Sequence, residues 1–163
     1  MERGLDFVRS QVGNAVAQHQ ALVDALTSHA SQAQDPRFAD LCRRFIPIMS
    51  RHQGMLEQYH TTLGASGSTA RKVLGRVFEL GRDLVDAMRD SDYYRLVGDI
   101  VMSRQAEDTF KTFREAGRVL GNETLRRLGD ECERDHDRFA EQANRLVQEI
   151  FVEYAKAEVP SHV

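Results

Sequence analysis

The chain has 163 residues, of which 41% are hydrophobic and 29% charged, and its formal net charge is -3. This length suits one domain with a sizeable core. Basic residues form only short runs such as Arg43-Arg44, so we expect no nucleic-acid interface. No stretch approaches the roughly 18 apolar residues of a membrane span, and the N-terminus lacks the apolar run of a secretory signal. We therefore expect a cytoplasmic protein that does not insert into a membrane.

The first part of the chain has the 3.6-residue spacing of two amphipathic helices. One helix is predicted over residues 4–31, and Asp35-Pro36 predicts the start of the next. Aspartate caps the free amides at a helix start, and proline suits the first turn. This second helix is predicted to extend to residue 62, with a bend at Pro47, which has no amide hydrogen to donate.

The segment Gly64–Ser68 is the clearest loop, and three further helical patterns follow it. They predict helices over residues 69–89, 92–119 and 122–156, with a frayed tail over 157–163. The first and last pairs of long helices form two antiparallel hairpins, and the 69–89 helix lies in the connection between them. We predict an all-α fold with one domain over residues 1–156, a four-helix bundle with a long crossover that carries an additional helix. Cys42 and Cys132 fall on apolar stripes, which favours buried free thiols.

Three histidines occupy positions where the apolar stripe of a helix would place leucine. His19, His52 and His136 each belong to a different predicted helix. At about 1.5 Å per residue, they lie about 18, 24 and 20 Å from the turns of their hairpins, which places all three near mid-bundle. Glu107 lies at a matching height on the fourth helix, one position off its apolar seam. A buried carboxylate there would need a cation or a hydrogen-bond partner.

Two interpretations of these histidines stay open from the residues alone. Each could be a hydrogen-bonded core residue, or together they could bind a metal. Neutral imidazole suits zinc, copper, iron and nickel, and a ligand histidine needs an acceptor for its other ring nitrogen.

Architecture and pattern together resemble the ferritin-like superfamily, and in particular its small rubrerythrin-related and stress-associated bacterial members. The resemblance rests on the two hairpins, the crossover helix and the Leu120-Gly121 turn. Members carry a Glu on one helix of each pair and Glu-x-x-His on the other, which together bind two metal ions. This chain has Glu133-Arg-Asp-His136, so the second hairpin, with Glu107, keeps a half-site. The first hairpin has His19 and His52 where the family uses glutamate.

Other polar residues are predicted at the surface. A second Glu-x-x-His string, Glu57 to His60, is interpreted as a solvated helix face, as are His29 and His162. An acidic run on the last helix is also interpreted as solvated, and unpaired enough to attract cations; it comprises Asp130, Glu131, Glu133, Asp135 and Asp137.

The sequence thus predicts a ferritin-like protein with a degenerate mid-bundle transition-metal site. Its role would be metal binding, storage or stress response, and whether it is an enzyme stays open. The ion would be iron, zinc or manganese, and the predicted ligands are His19, His52, Glu107, Glu133 and His136. The alternative is a metal-free ferritin-like scaffold that acts through protein association, as a homodimer. Its exposed apolar face would include Tyr93, Tyr94, Phe7 and Val77.

Overall fold

A computed structural model describes residues 3–64 and 91–157. These residues form four helices and contain no strand: α1 (Gly4–Gln32), α2 (Pro36–Thr62), α3 (Asp92–Val119) and α4 (Glu123–Ala157). The first and last residues of these four helices lie within one residue of the predicted bounds. The predicted 69–89 helix, Val77 and residues 158–163 of the predicted tail lie outside the described residues. None of the described helices is long and apolar enough to cross a membrane.

Local capping explains why the helices begin where they do. The Asp35 carboxylate accepts a hydrogen bond from the Arg37 amide at 2.8 Å, with Pro36 in the first turn of α2. The Ser91 hydroxyl accepts from the Tyr93 amide at the start of α3, and the Asn122 side chain accepts from the Leu125 amide at the start of α4. Each cap satisfies an amide that has no partner within its own helix.

The four helices pack as two hairpins, α1 with α2 and α3 with α4, and the hairpins contact each other through α1–α3 and α2–α4. Each of these neighbouring pairs is antiparallel. The Arg9 side chain at the start of α1 donates to the Leu63 carbonyl at the end of α2, at 2.7 Å. The Asp92 carboxylate at the start of α3 accepts from the Asp35 amide in the α1–α2 loop, at 2.6 Å. The chain therefore leaves α2 at one end of the bundle and enters α3 at the other.

The second hairpin is the more tightly packed because glycine lets its backbones approach. A side chain at Gly117 would overlap the Arg126 backbone, and one at Gly129 would overlap the Arg114 backbone. Gly121, in the turn between the two helices, has a φ of +65°, a left-handed conformation that favours glycine. This hairpin is thus a rigid frame for the residues that it points into the core.

The buried core has two apolar layers. The first, called here the loop-end core, lies near the α1–α2 loop and comprises Leu22, Val23, Leu26, Phe38, Leu41, Cys42, Phe45, Met49, Leu96, Phe139, Ala143, Leu146 and Ile150. The second, the turn-end core, lies near the α3–α4 turn and comprises Val12, Ala15, Val16, Leu56, Tyr59, Ala106, Phe110, Phe113, Leu125, Leu128 and Cys132. Both cysteines are buried free thiols, as predicted. The three core histidines lie between these layers.

Candidate metal centre

His19, His52 and His136 meet at the centre of the bundle, each contributed by a different helix. Their exposed fractions are 1%, 0% and 0%. Ring nitrogens from all three lie within 4.8 Å of one another, and this is the one such group of potential metal ligands found among the described residues. The ring centroids are 5.0 Å apart for His19–His136, 5.5 Å for His52–His136 and 6.3 Å for His19–His52. Each histidine lies on the buried apolar stripe of its own helix and near the middle of the bundle. These two properties together bring the three imidazoles into contact.

Hydrogen bonds assign the tautomer of two of these rings. The Gln53 amide nitrogen donates to the Val16 carbonyl and to Glu57, so its oxygen is the atom that accepts from His19 Nδ1 at 2.9 Å. His136 Nδ1 donates to the Cys132 carbonyl at 2.7 Å. Because Nδ1 carries the proton in both rings, each Nε2 keeps a lone pair.

The third ring, His52, is placed beside a carboxylate. Its Nε2 lies 3.0 Å from Asp135 Oδ2, but the contact is poorly aligned with the ring N–H and is therefore electrostatic rather than a hydrogen bond. A neighbouring carboxylate favours the tautomer with the proton on Nε2, which leaves a lone pair on Nδ1. Asp135 is in turn paired with Arg138 at 2.8 Å and with Arg51 at 3.4 Å.

Burial keeps all three imidazoles neutral. It lowers the pKa of His19 to about 3, and a second contribution comes from the neighbouring His136. Burial likewise lowers the pKa of His52 to about 3 and that of His136 to about 4, and a neighbouring histidine adds to each effect. At neutral pH the centre therefore offers three uncharged nitrogen donors.

These nitrogens have no hydrogen-bond partner within the described part of the chain. Nε2 of His19, Nδ1 of His52 and Nε2 of His136 are buried and unpaired, and His52 Nε2 has only its electrostatic contact with Asp135. An unsatisfied buried polar group costs about 1–3 kcal/mol, and three such rings consume a large fraction of a typical 5–15 kcal/mol stability. A bound cation that accepts the lone pairs would offset this cost.

Apolar groups complete the surroundings. The Phe110 ring centroid lies 5.0 Å from that of His136 and 5.9 Å from that of His19. Met49, one turn before His52, is fully buried in the loop-end core. Burial raises the pKa of the Cys132 thiol well above its usual range, so this sulfur is uncharged at neutral pH, and it does not belong to the group of ring nitrogens. The surroundings of the trio are thus mostly apolar, apart from the His52–Asp135 contact.

The two predicted carboxylate ligands are paired elsewhere. Glu107 is buried, and its two oxygens lie 2.5 Å from Arg104 and 2.5 Å from Lys111. Glu133 pairs with Arg114 of α3. Both carboxylates face basic side chains at the α3–α4 surface, and neither belongs to the group of three ring nitrogens. Their role as ligands stays a prediction.

Two histidines that were predicted at the surface, His60 and His29, are instead largely buried. His60 is 7% exposed because it packs over Gly13 of α1, where the missing side chain leaves room; Glu57, by contrast, is exposed, as predicted. His29 is mostly buried, and its Nδ1 lies 2.9 Å from Asp99 of α3. His162 lies outside the described residues.

Contrary to the prediction, the acidic run of α4 is not unpaired, although Asp130, Glu131 and Asp137 are partly solvated. All five of its carboxylates form ion pairs, because arginines from α2, α3 and α4 itself reach them. The pairs are Asp130–Arg134, Glu131–Arg51, Glu133–Arg114, Asp135–Arg138 and Asp137–Arg104.

Sequence reasoning missed two residues that orient the centre. Gln53 follows His52 directly and bonds His19 of the neighbouring helix, and Asp135 precedes His136 and contacts His52. Their one signal in the sequence is adjacency to a core histidine. Each supports the histidine of a neighbouring helix, and the sequence does not specify that pairing.

Comparison of the chain with models of known protein families, with curated proteins and with solved structures finds no match. The case for function therefore rests on the geometry of the site.

Proposed function

We propose that this protein binds a transition-metal ion at the centre of its bundle, through one ring nitrogen each of His19, His52 and His136. The observation that carries the proposal is the convergence of three buried, unpaired imidazole nitrogens within 4.8 Å. In His136 and His19 the other ring nitrogen, Nδ1, donates its proton to an oxygen, and His52 has a carboxylate beside it. Such outer partners orient and polarise ligand histidines in metal sites.

The ferritin-like relationship is part of this proposal. Two antiparallel hairpins and a connection between opposite ends of the bundle support it. The role we infer is metal binding for storage or stress protection. A two-metal oxidase is less well supported, because that chemistry uses bridging carboxylates, and both Glu107 and Glu133 are held by basic side chains.

Metal content tests the proposal directly. Protein without an affinity tag would be purified, and its metals measured by mass spectrometry and by titration after chelator treatment. We expect about one bound ion per chain, lost in His52→Ala. His60→Ala is the matched control. His60 is also a buried histidine with an unpaired Nε2, but it lies outside the trio formed by His19, His52 and His136. No bound ion in the unaltered chain, either as purified or after titration, would contradict the proposal.

A second candidate is association through an apolar face on α3 and α4. Tyr94 and Phe151 are 55% and 58% exposed, and Tyr93 contacts both rings, with centroids 5.3 and 6.1 Å away. Phe7, which was also predicted to contribute, is exposed on α1. Sedimentation of the intact chain and of Tyr94→Glu with Phe151→Glu separates the candidates. A dimer lost in this double variant favours association, and a monomer at all concentrations argues against it.

A further inference from the structure

The donor set of the centre carries no formal charge. Three imidazole nitrogens, which coordinate an ion as uncharged donors, supply the lone pairs, and the described residues place no anionic atom within the group. The carboxylate nearest to a ring nitrogen, that of Asp135, is already paired with Arg138 and Arg51. Any cation that enters therefore keeps nearly its full charge inside the bundle.

Charge then discriminates between candidate ions. The cost of moving an ion from water into a medium of low dielectric constant scales with the square of its charge, so a divalent ion pays about four times as much as a monovalent ion of equal size. Zn²⁺ and Fe²⁺ sites usually offset this cost with thiolate, carboxylate or hydroxide ligands.

Coordination number points the same way. Three nitrogen donors about 2.0 Å from an ion would be about 3.5 Å apart. Nitrogens that lie within 4.8 Å of one another therefore need to move inward by less than about 0.8 Å each. The described residues supply three ring nitrogens here, and the Phe110 ring, which packs beside His19 and His136, offers no further donor. Zinc needs a fourth ligand, and divalent copper prefers a tetragonal set of nitrogen and oxygen ligands. A closed-shell monovalent ion is satisfied by three.

We propose that the centre binds copper as Cu⁺, three-coordinate, through His19, His52 and His136. The inference rests on the proposed function and deepens it, since it selects the ion and its oxidation state. The ion bound is the ion supplied, so no oxidant or reductant takes part. The site is specific for Cu⁺ because it is neutral, apolar and limited to three donors.

The test is an anaerobic titration of the chelator-treated chain with Cu⁺ in competition with bicinchoninate, and parallel titrations with Zn²⁺, Fe²⁺ and Cu²⁺ against colorimetric chelators. We expect one equivalent of Cu⁺ to bind, and X-ray absorption at the copper edge to give three nitrogen neighbours in a single shell. Zn²⁺ and Cu²⁺ are expected to remain largely with their chelators.

Variants assign the ion to the trio. His136→Leu fills the position with a side chain of similar size and is expected to weaken Cu⁺ binding by more than about 100-fold, beyond the 10- to 100-fold loss typical of a supporting residue. His60→Leu, checked alongside it by circular dichroism, is expected to bind Cu⁺ as the unaltered chain does. Equal loss in both variants, or a fourth ligand at copper, would overturn the inference.

The remaining outcomes separate this inference from the function on which it rests. One equivalent of Zn²⁺ or Fe²⁺ lost in His136→Leu, with no Cu⁺ retained, overturns the choice of ion and leaves the metal site standing. No retention of any of the four ions overturns both, and the trio is then a set of core histidines that share a water molecule or a proton.

Discussion

Histidine is buried in two different ways in this bundle. At the loop end, His29 of α1 lies 2.9 Å from Asp99 of α3, a carboxylate that is 0% exposed. At mid-bundle, His19, His52 and His136 face one another, and their inward nitrogens have no partner among the described residues. The first site pairs a histidine with a carboxylate across two helices, and the second groups three histidines.

The difference shows what each arrangement can do. In the His29–Asp99 pair the two facing atoms, His29 Nδ1 and Asp99 Oδ2, bond each other, while Asp99 Oδ1 has no hydrogen-bond partner among the described residues. In the trio each ring directs its N–H group away from the other two rings and presents a lone pair towards them. The three inward nitrogens can therefore be satisfied only by a shared cation, proton or water molecule. The trio thus costs stability unless something binds, which is the expected behaviour of a binding site.

Acid provides the largest expected effect on the trio. The folded-state pKa values of about 3, 3 and 4 lie below the usual value of 6.5, so the unfolded chain binds more protons between pH 6.5 and these values. The free energy of unfolding has its full value above pH 6.5 and decreases as the pH falls towards 3. At pH 5 each ring should lower the free energy of unfolding by about 2 kcal/mol, on the order of 6 kcal/mol for the three rings together.

Urea unfolding of the chelator-treated protein at pH 7.5 and pH 5 checks this effect. The variant with leucine at all three positions should lose most of the pH dependence over this range. Equal stability of the unaltered chain at the two pH values would contradict the neutral state of the trio.

Removing His29 should break the other site. His29→Ala leaves the Asp99 carboxylate, whose pKa is already raised by burial, without its charged or hydrogen-bonding partner. A broken buried pair typically costs about 3–5 kcal/mol. The free energy of unfolding measured in urea should fall by that amount, and the double variant with Asp99→Leu should recover part of it. No loss in the single variant would show that the pair is not formed.

The opposite sign is expected for a similar change in the trio. His52→Leu removes an unpaired buried nitrogen, Nδ1, together with Nε2, which contacts Asp135 without a hydrogen bond. The change should raise the stability of the metal-free protein by about 1–3 kcal/mol. Thermal unfolding in the presence of chelator measures the change. A loss of stability comparable to that of His29→Ala would mean that the trio is internally satisfied, and the distinction between the two sites would disappear.

The smallest effect concerns the residue that orients His19. Gln53→Leu removes the oxygen that accepts from His19 Nδ1, so the ring is free to adopt the other tautomer. Metal affinity should fall about 10- to 100-fold, as it does when outer partners of ligand histidines are removed. Competitive titration measures the change, and Gln53→Glu, which keeps an acceptor, should retain most of the affinity. Equal affinity in Gln53→Leu would show that this contact does not orient the ligand.

Much of the centre could be predicted because helical period is local. His19, His52 and His136 lie on the apolar stripes of their helices and near mid-height. Any bundle that buries those stripes therefore brings the three side chains together. The two glutamates were not predictable in the same way. Glu107 is one position off its seam, and although it is buried, its carboxylate is paired with Arg104 and Lys111 of the same helix.

By itself, the sequence determined the four described helices and their ends, because caps such as Asp35 and Asn122 act on amides within a few residues. It also determined which faces are buried. The tertiary structure alone decided which polar side chains meet: Gln53 with His19, Asp135 with His52, and His29 with Asp99. Two of these pairs join residues of different hairpins. Their contact depends on how the helices are rotated and set in height against one another, and the 3.6-residue repeat of a single helix does not encode that arrangement.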